Sequence, residues 1–119
     1  MSNKKDLSQE AEANLLYVLM QPARQKIIKL LLQSKPLYIE QIAERIGMDR
    51  RSVSFHLATL AEKGFVEGQF EMIVEPRNPS RGRAAKFYKV TPKVKNVITK
   101  WDALLEATKA IDRGQAPLN

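Results

Sequence analysis

Apolar residues recur every three or four positions along the first half of the chain, which predicts a series of amphipathic helices. A first helix is expected over 7–20, with a stripe formed by Leu7, Ala11, Leu15, Val18 and Leu19. The next helix begins near Pro22, and its run "IIKLLL" is apolar around much of the helix circumference. We therefore expect this second helix to lie at the centre of the core.

Two further helices are separated by a glycine. The stretch "KPLYIEQIAERIGM" carries an apolar face that ends at Gly47, where a left-handed backbone conformation can end a helix. Asp49 is suited to cap the following helix, and Met48 and Val53 are spaced to pack across its first turn. The buried stripe of this fourth helix is expected at Val53, Leu57, Leu60 and Ala61. Gly64 is expected to end it.

The period changes after Gly64. The segment "FVEGQFEMIV" alternates approximately every second residue, and "KFYKVT" is aromatic and β-branched, so both predict antiparallel strands. The intervening "EPRNPSRGRAA" holds two prolines and a glycine, which predicts a long hairpin loop. Thr91 and Pro92 begin a last helix. Its apolar side is formed by Val94, Val97, Ile98, Trp101, Leu104, Leu105 and Ile111.

This order of elements predicts a winged helix-turn-helix. Two short helices joined by a glycine turn form the helix-turn-helix over 38–64, and the hairpin over 65–91 forms the wing. A chain of 119 residues can bury one core, so we expect a single domain over 1–119, mainly α with a small β-hairpin. The segments 1–20 and 92–113 are expected to be N- and C-terminal dimerisation helices.

Two segments resemble the winged-helix regulators of the ArsR type. "QPARQKIIKLLL" resembles the proline, arginine and aliphatic run of that family's second helix, and "RRSVSFHLATLAEKGFV" resembles its recognition helix. The resemblance covers roughly Leu15 to Thr91. It implies a homodimeric, sequence-specific regulator of transcription that binds double-stranded DNA, with terminal helices that together build the dimer interface.

The resemblance does not extend to metal sensing. Members of the family that sense metals use cysteines in the helix-turn-helix, or histidines and carboxylates in the terminal helix, whereas this chain has no cysteine and one histidine, His56. A transition-metal site would lack its ligands, so we expect no metal and no cofactor. His56 lies near the edge of the buried face and is expected to be a structural residue with a local hydrogen bond.

Composition narrows the choice of partner and compartment. The net charge of +7 favours an anionic partner such as DNA, although the same surplus could serve only solubility. The absence of cysteine fits a reducing cytosol. The apolar runs are too short to span a bilayer and the N-terminal residues do not form a secretory signal, so we expect a cytoplasmic protein without a membrane partner.

The outer face of the fourth helix is the main candidate for DNA contact. The N-terminal half of a recognition helix enters the major groove, where arginine can bond guanine and serine can contact a base or a phosphate. The residues expected to contact bases are Arg50, Arg51, Ser52 and Phe55. Those expected to contact the DNA backbone are Ser54, Thr59 and Lys63. The alternative is an ordinary solvent-facing helix surface, which explains the exposed phenylalanine poorly.

The wing supplies a second candidate contact. Eight lysines and arginines and no acidic residue occur between Pro76 and Trp101. Arg81 and Arg83 flank a glycine that permits close backbone approach, which suits a narrow minor groove or a phosphate. Arg77 and Lys86 are expected to contact phosphates. A solvated basic surface is the alternative.

The terminal helices predict a dimer, because their apolar stripes exceed what the winged core requires. The interface residues are expected to be Leu15, Leu19, Val94, Val97, Ile98, Trp101, Leu104 and Leu105. A twofold dimer would place two recognition helices about 34 Å apart, in successive major grooves. Alternatively, the last helix folds back on the first helix of its own chain.

Three classes of function are considered for this sequence. A homodimeric repressor is favoured, because a bound dimer of this size acts mainly by occlusion. A winged-helix module that binds another protein or RNA is the second. An enzyme has little support, because no nucleophile-base spacing, phosphate loop or carboxylate pair is found. The operator and any small-molecule effector are left open by the sequence.

Overall fold

The computed structural model describes residues 14–112. Its five helices are α1 (14–20), α2 (Pro22–Leu32), α3 (Ile39–Ile46), α4 (Arg50–Glu62) and α5 (Pro92–Asp112). Its three strands are β1 (Leu37–Tyr38), β2 (Val66–Glu75) and β3 (Asn78–Val90). The expected start of the first helix at Leu7, most of the segment 1–20, and residue 113 lie outside the described residues. None of the described helices is long and apolar enough to cross a membrane.

The strands form one antiparallel sheet in the order β1, β3, β2. Strand β2 pairs with β3 from Val66 opposite Val90 outwards, which is the predicted wing. The short strand β1, which was not predicted, pairs Leu37 with Tyr88 on the other side of β3. The sheet therefore has three strands where a hairpin of two was expected, and β1 joins the base of the wing directly to the start of α3.

A single core fills the space between α2, α3, α4 and the base of the sheet. Helix α2 is central, as predicted, and α4 directs Val53, Leu57 and Leu60 of its expected stripe inward. Ala61, the fourth residue of that stripe, is exposed, because it lies at the edge of the buried face near the end of the helix. The side chains with no exposed surface are Ile27, Ile42, Val53, Leu57, Leu60 and Phe65. Complete burial of an aliphatic or aromatic side chain of this size contributes about 1.5–3 kcal/mol each. The core thus fixes which face of α4 remains outside.

The prediction of a long loop at the tip of the wing was wrong. Strands β2 and β3 continue to a turn at Pro76 and Arg77, and Val74 still pairs with Gly82. The register then shifts so that Glu75 pairs with Asn78, which leaves 79–81 as an irregularity in β3. Proline is tolerated there because it lacks only the N–H that a regular ladder would need, and β1 does not extend to this part of β3.

Helix α5 divides into a docked beginning and an outer part. Val94 is 1% exposed and packs, together with Leu19, in the core of the same chain. Both had been expected at the dimer interface, but side chains buried inside one protomer leave no surface for a second one, and that assignment is corrected. Farther along α5, Leu104 is 57% exposed. The apolar stripe is therefore shared between the chain's own core and an open face.

Candidate nucleic-acid interface

The turn between α3 and α4 is set by two residues that act on the backbone. Gly47 adopts φ +68°, in the left-handed region, and the Met48 N–H then donates to the Ala43 carbonyl at 3.0 Å. Asp49 caps α4, because its Oδ1 accepts from the Ser52 N–H at 2.8 Å and its Oδ2 accepts from the Ser52 hydroxyl at 2.7 Å. These hydrogen bonds from Ser52 lower the pKa of the Asp49 carboxyl. Together the two residues hold the start of α4 at one angle.

The outward face of α4 has the composition expected from the sequence. Phe55 is 63% exposed, although its ring also meets the His56 ring edge to face at 5.5 Å between centroids. The other exposed residues of the expected set are Arg50, Arg51, Ser54 and Lys63. The hydroxyls of Ser52 and Thr59 already donate within the helix, to Asp49 and to the Phe55 carbonyl. Each of these two hydroxyls must rotate away from its present acceptor before it can donate a hydrogen bond to DNA.

His56 has the local structural role that was expected. Its Nδ1 accepts from the Nε of Arg24 at 3.3 Å, across a contact between α2 and α4. Burial lowers the pKa of His56, and the neighbouring Arg24 charge lowers it further. The imidazole is therefore held neutral and serves as an acceptor beneath the outward face.

The basic residues of the wing are exposed along β3 and at its tip. Arg77 lies in the turn, Arg81 in the irregular segment and Arg83 in the regular ladder. Lys86 extends over Gly68, where a Cβ atom would come within 2.6 Å of the lysine Cε. Its Nζ lies 5.7 Å from the centre of the Phe70 ring. Glycine at 68 therefore makes room for the lysine stem.

One acidic residue joins α4 to the wing, and no pattern in the sequence indicates it. Glu40, in the first turn of α3, places its Oε1 3.6 Å from Arg50 Nη2 and 3.6 Å from Arg83 Nη1. The Arg83 guanidinium also lies over the Tyr38 ring, 5.5 Å from its centre. The structure thus brings together Arg50 and Arg83, which belong to separate parts of the expected site. Arg77, at the wing tip, lies outside this cluster.

An apolar strip on the wing was also missed. Phe70, Met72 and Val74 are more than half exposed and occupy alternate positions of β2, so they share one face. Their partners in β3 are Lys86, Ala84 and Gly82. The period-two spacing predicts the strand, but the spacing alone does not indicate which face of the strand the core covers.

Comparison with protein families identifies the central part of this arrangement. Residues 21–68 match the family described as bacterial regulatory protein, arsR family. Residues 21–68 are therefore similar to the helix-turn-helix of that family. The matched residues extend from the start of α2 to the first residues of β2, and therefore include all of α4 and Glu40. The outer wing and α5 lie outside the match.

Known structures extend the likeness to the wing and the terminal helices. The homodimeric winged helix-turn-helix DNA-binding domain of a possible ArsR-family regulator from Mycobacterium bovis has a TM-score of 0.63 and 21% identity, covering 92% of each chain. NolR from Sinorhizobium fredii has a TM-score of 0.63 and 20% identity, and the match covers 89% of this chain and 92% of NolR. The transcriptional repressor BigR from Xylella fastidiosa has a TM-score of 0.57 and 21% identity, and the match covers 87% of this chain and 95% of BigR. These likenesses show the winged helix-turn-helix fold. No protein with a curated description matches the chain.

Proposed function

We propose that the protein is a homodimeric regulator of transcription that binds double-stranded DNA in a sequence-specific manner. The observation that carries the proposal is the exposed N-terminal half of α4, where Arg50, Arg51 and Phe55 project from a capped helix of an ArsR-type helix-turn-helix. Phe55 gives this face an apolar contact beside two arginines, a combination that a partner with both apolar and polar groups can use. A major groove accommodates a helix with such a face.

The residues of α4 divide by the chemistry they offer to DNA. Arg51 can bond guanine through two donors, and Phe55 can contact a thymine methyl group. Arg50 and Ser52 lie beside them at the helix start and complete the group expected to contact bases. Ser54, Thr59 and Lys63 are assigned to the sugar-phosphate backbone.

The wing would provide contacts that depend on charge rather than sequence. Arg81 and Arg83 are assigned to the minor groove or to phosphates, and Arg77 and Lys86 to phosphates. Each neutralised phosphate releases counterions, so these contacts predict binding that weakens steeply with salt.

The outer part of α5 is proposed as the dimer interface. Ile98, Leu104 and Leu105 are exposed, and Trp101 is partly buried beside them. An apolar face of this kind is typical of an interface. Leu15 and Val97, which pack on the edge of the core, would lie at its border. The homodimeric state of the similar domain from Mycobacterium bovis supports the proposal.

Repression is the favoured direction of regulation. A bound dimer that spans two successive major grooves blocks access to the same DNA, and the similar BigR is described as a repressor. A protein with this role would act in the cytoplasm, where bacterial DNA is found.

Selection from random duplexes tests the function. The full chain is mixed with a library of random double-stranded DNA at fixed salt, and bound molecules are sequenced over several rounds. We expect an inverted repeat whose halves lie about 10 base pairs apart. Equal enrichment of all duplexes would contradict sequence specificity. Binding only to RNA, or to no nucleic acid, would favour the competing RNA-binding or protein-binding module.

A further inference from the structure

Glu40 is an acidic residue on the surface that the proposed function assigns to DNA. A carboxylate there repels phosphates and lowers the affinity for every duplex. Stability does not explain it, because solvent-screened ion pairs such as those of Glu40 with Arg50 and Arg83 contribute little to the free energy of unfolding. The effect of the Glu40 carboxylate on the positions of the two arginine side chains is therefore the more informative property.

The geometry around Glu40 allows its carboxylate to hold the side chains of Arg50 and Arg83 close together, an arrangement called the clamp below. A single carboxylate oxygen, Oε1, lies 3.6 Å from both guanidinium groups, so it attracts them towards one point. Arg50 is the first residue of α4, whereas Arg83 belongs to β3 of the wing. No other acidic residue of the described chain forms ion pairs with arginines from two separate elements.

The support beneath the clamp is ordered. The Tyr38 N–H donates to the Gln41 side chain at 3.1 Å, which fixes the first turn of α3. The Tyr38 ring packs edge to face against Phe87, with 5.3 Å between centroids, and lies beneath the Arg83 guanidinium. Glu40 follows two residues after Tyr38 and so projects from a fixed backbone towards both arginines.

We infer that Glu40 is a specificity-determining residue that holds Arg50 and Arg83 together until a matching duplex binds. On random DNA, the arginines stay paired to the carboxylate, and its charge opposes the phosphates. On the correct operator, the bases and phosphates occupy both guanidinium groups, and the cost of separating them from Glu40 is recovered. This inference rests on the proposed function, because it assumes DNA on this surface.

The test compares Glu40→Gln with Glu44→Gln. Both substitutions remove one negative charge from α3, at a half-buried position for Glu40 and an exposed one for Glu44, but only Glu40 forms ion pairs with the arginines. The dissociation constants are measured for the selected duplex and for a random duplex of equal length, at the same salt. For Glu40→Gln we expect random DNA to bind about fivefold tighter and the preference for the selected duplex to fall by a similar factor. Glu44→Gln should change both affinities by the same factor.

A background without the arginines separates the clamp from simple repulsion. In the double variant Arg50→Gln and Arg83→Gln, adding Glu40→Gln should leave the remaining preference between duplexes unchanged. An unaltered preference in the Glu40→Gln single variant would overturn the inference, as would an equal loss in Glu44→Gln. A parent protein that prefers no duplex would instead refute the proposed function, and this inference with it.

A measurement without DNA distinguishes the two failures further. In nuclear magnetic resonance spectra of the free full chain, Glu40→Gln should shift the side-chain Nε–Hε signals of Arg50 and Arg83, and leave that of Arg51 in place. Unshifted signals of Arg50 and Arg83 would refute the clamp, whatever the parent protein binds.

Discussion

The Nε of Arg24 donates to the Nδ1 of His56 at 3.3 Å, which ties helix α2 to the recognition helix α4. Arg24 also donates through Nη1 to the Val18 carbonyl at 3.2 Å, so one guanidinium connects α1, α2 and α4. Because Nδ1 is the acceptor, the neutral imidazole carries its proton on Nε2. Protonation of Nδ1 would remove the acceptor and place a second positive charge beside Arg24.

This contact predicts that acid weakens the fold through His56. The pKa of His56 is lowered in the folded chain from an ordinary value of 6.5, so the unfolded chain binds the proton more readily. The contribution of neutral His56 to the free energy of unfolding is fully present above about pH 6.5. It is lost as the pH falls towards the lower pKa that His56 has in the folded chain. The melting temperature, measured between pH 7.5 and 5, should fall more for the parent than for His56→Gln. The carboxyl of Asp49, whose pKa lies below 3.8, titrates outside this range. Parallel curves for the two proteins would contradict the assignment.

Replacement of Arg51 and of Arg81 by alanine should change DNA binding in different ways. Within the described chain the Arg51 guanidinium forms no ion pair, so its replacement is expected to affect only the proposed contacts with DNA. Arg51→Ala should cost about 1–3 kcal/mol of binding free energy at one operator position and relax the preference there. Arg81→Ala should weaken all duplexes more evenly and reduce the salt dependence of binding. Titrations against single-base operator variants measure both effects, and identical profiles for the two variants would refute the division of roles.

Substitutions in the two parts of α5 should have different effects, one on the stability of the fold and the other on dimer formation. Val94 is completely packed, so Val94→Ala should lower the free energy of unfolding by about 2 kcal/mol. Leu104 is exposed, so Leu104→Glu should leave the fold intact and shift the solution mass from two chains towards one. Urea unfolding and sedimentation equilibrium measure the two quantities. A Leu104→Glu protein that stays dimeric would exclude this face as the interface.

The glycine between α3 and α4 predicts a purely conformational effect. A Cβ atom at Gly47 would meet no other atom within 4 Å, so only its φ of +68° penalises a side chain. Gly47→Ala should reduce the free energy of unfolding by about 1–2 kcal/mol. Gly47→Asn should cost less, because asparagine tolerates the left-handed region. Equal losses in denaturant titrations would point to a steric cause instead.

The helix-turn-helix could be predicted from sequence because its signals are local. Gly47, Asp49 and the stripe from Val53 to Leu60 act within one or two helical turns. The sequence did not reveal strand β1, because two residues carry no period and β1 exists only by pairing with β3. It also gave no sign of the role of Glu40, whose partners are 10 and 43 positions away.

The remaining errors have the same origin. Proline and glycine usually end strands, but here Pro79 falls in the irregular segment 79–81 of β3, and Gly82 already pairs with Val74 in the regular ladder. Val94 and Leu104 belong to one apolar stripe, and the stripe does not indicate where the chain's own core stops. That boundary depends on the tertiary position of α5.

Mapping the bound surface in solution tests the central claim most directly. The selected duplex, and a scrambled duplex as control, are titrated into the isotope-labelled full chain, and the shifts of backbone amide signals are followed. We predict that the largest shifts caused by the selected duplex fall on 50–55 and 81–83, with smaller ones for the scrambled duplex. Shifts confined to Phe70, Met72 and Val74, or none at 50–55, would contradict DNA binding by this face of α4.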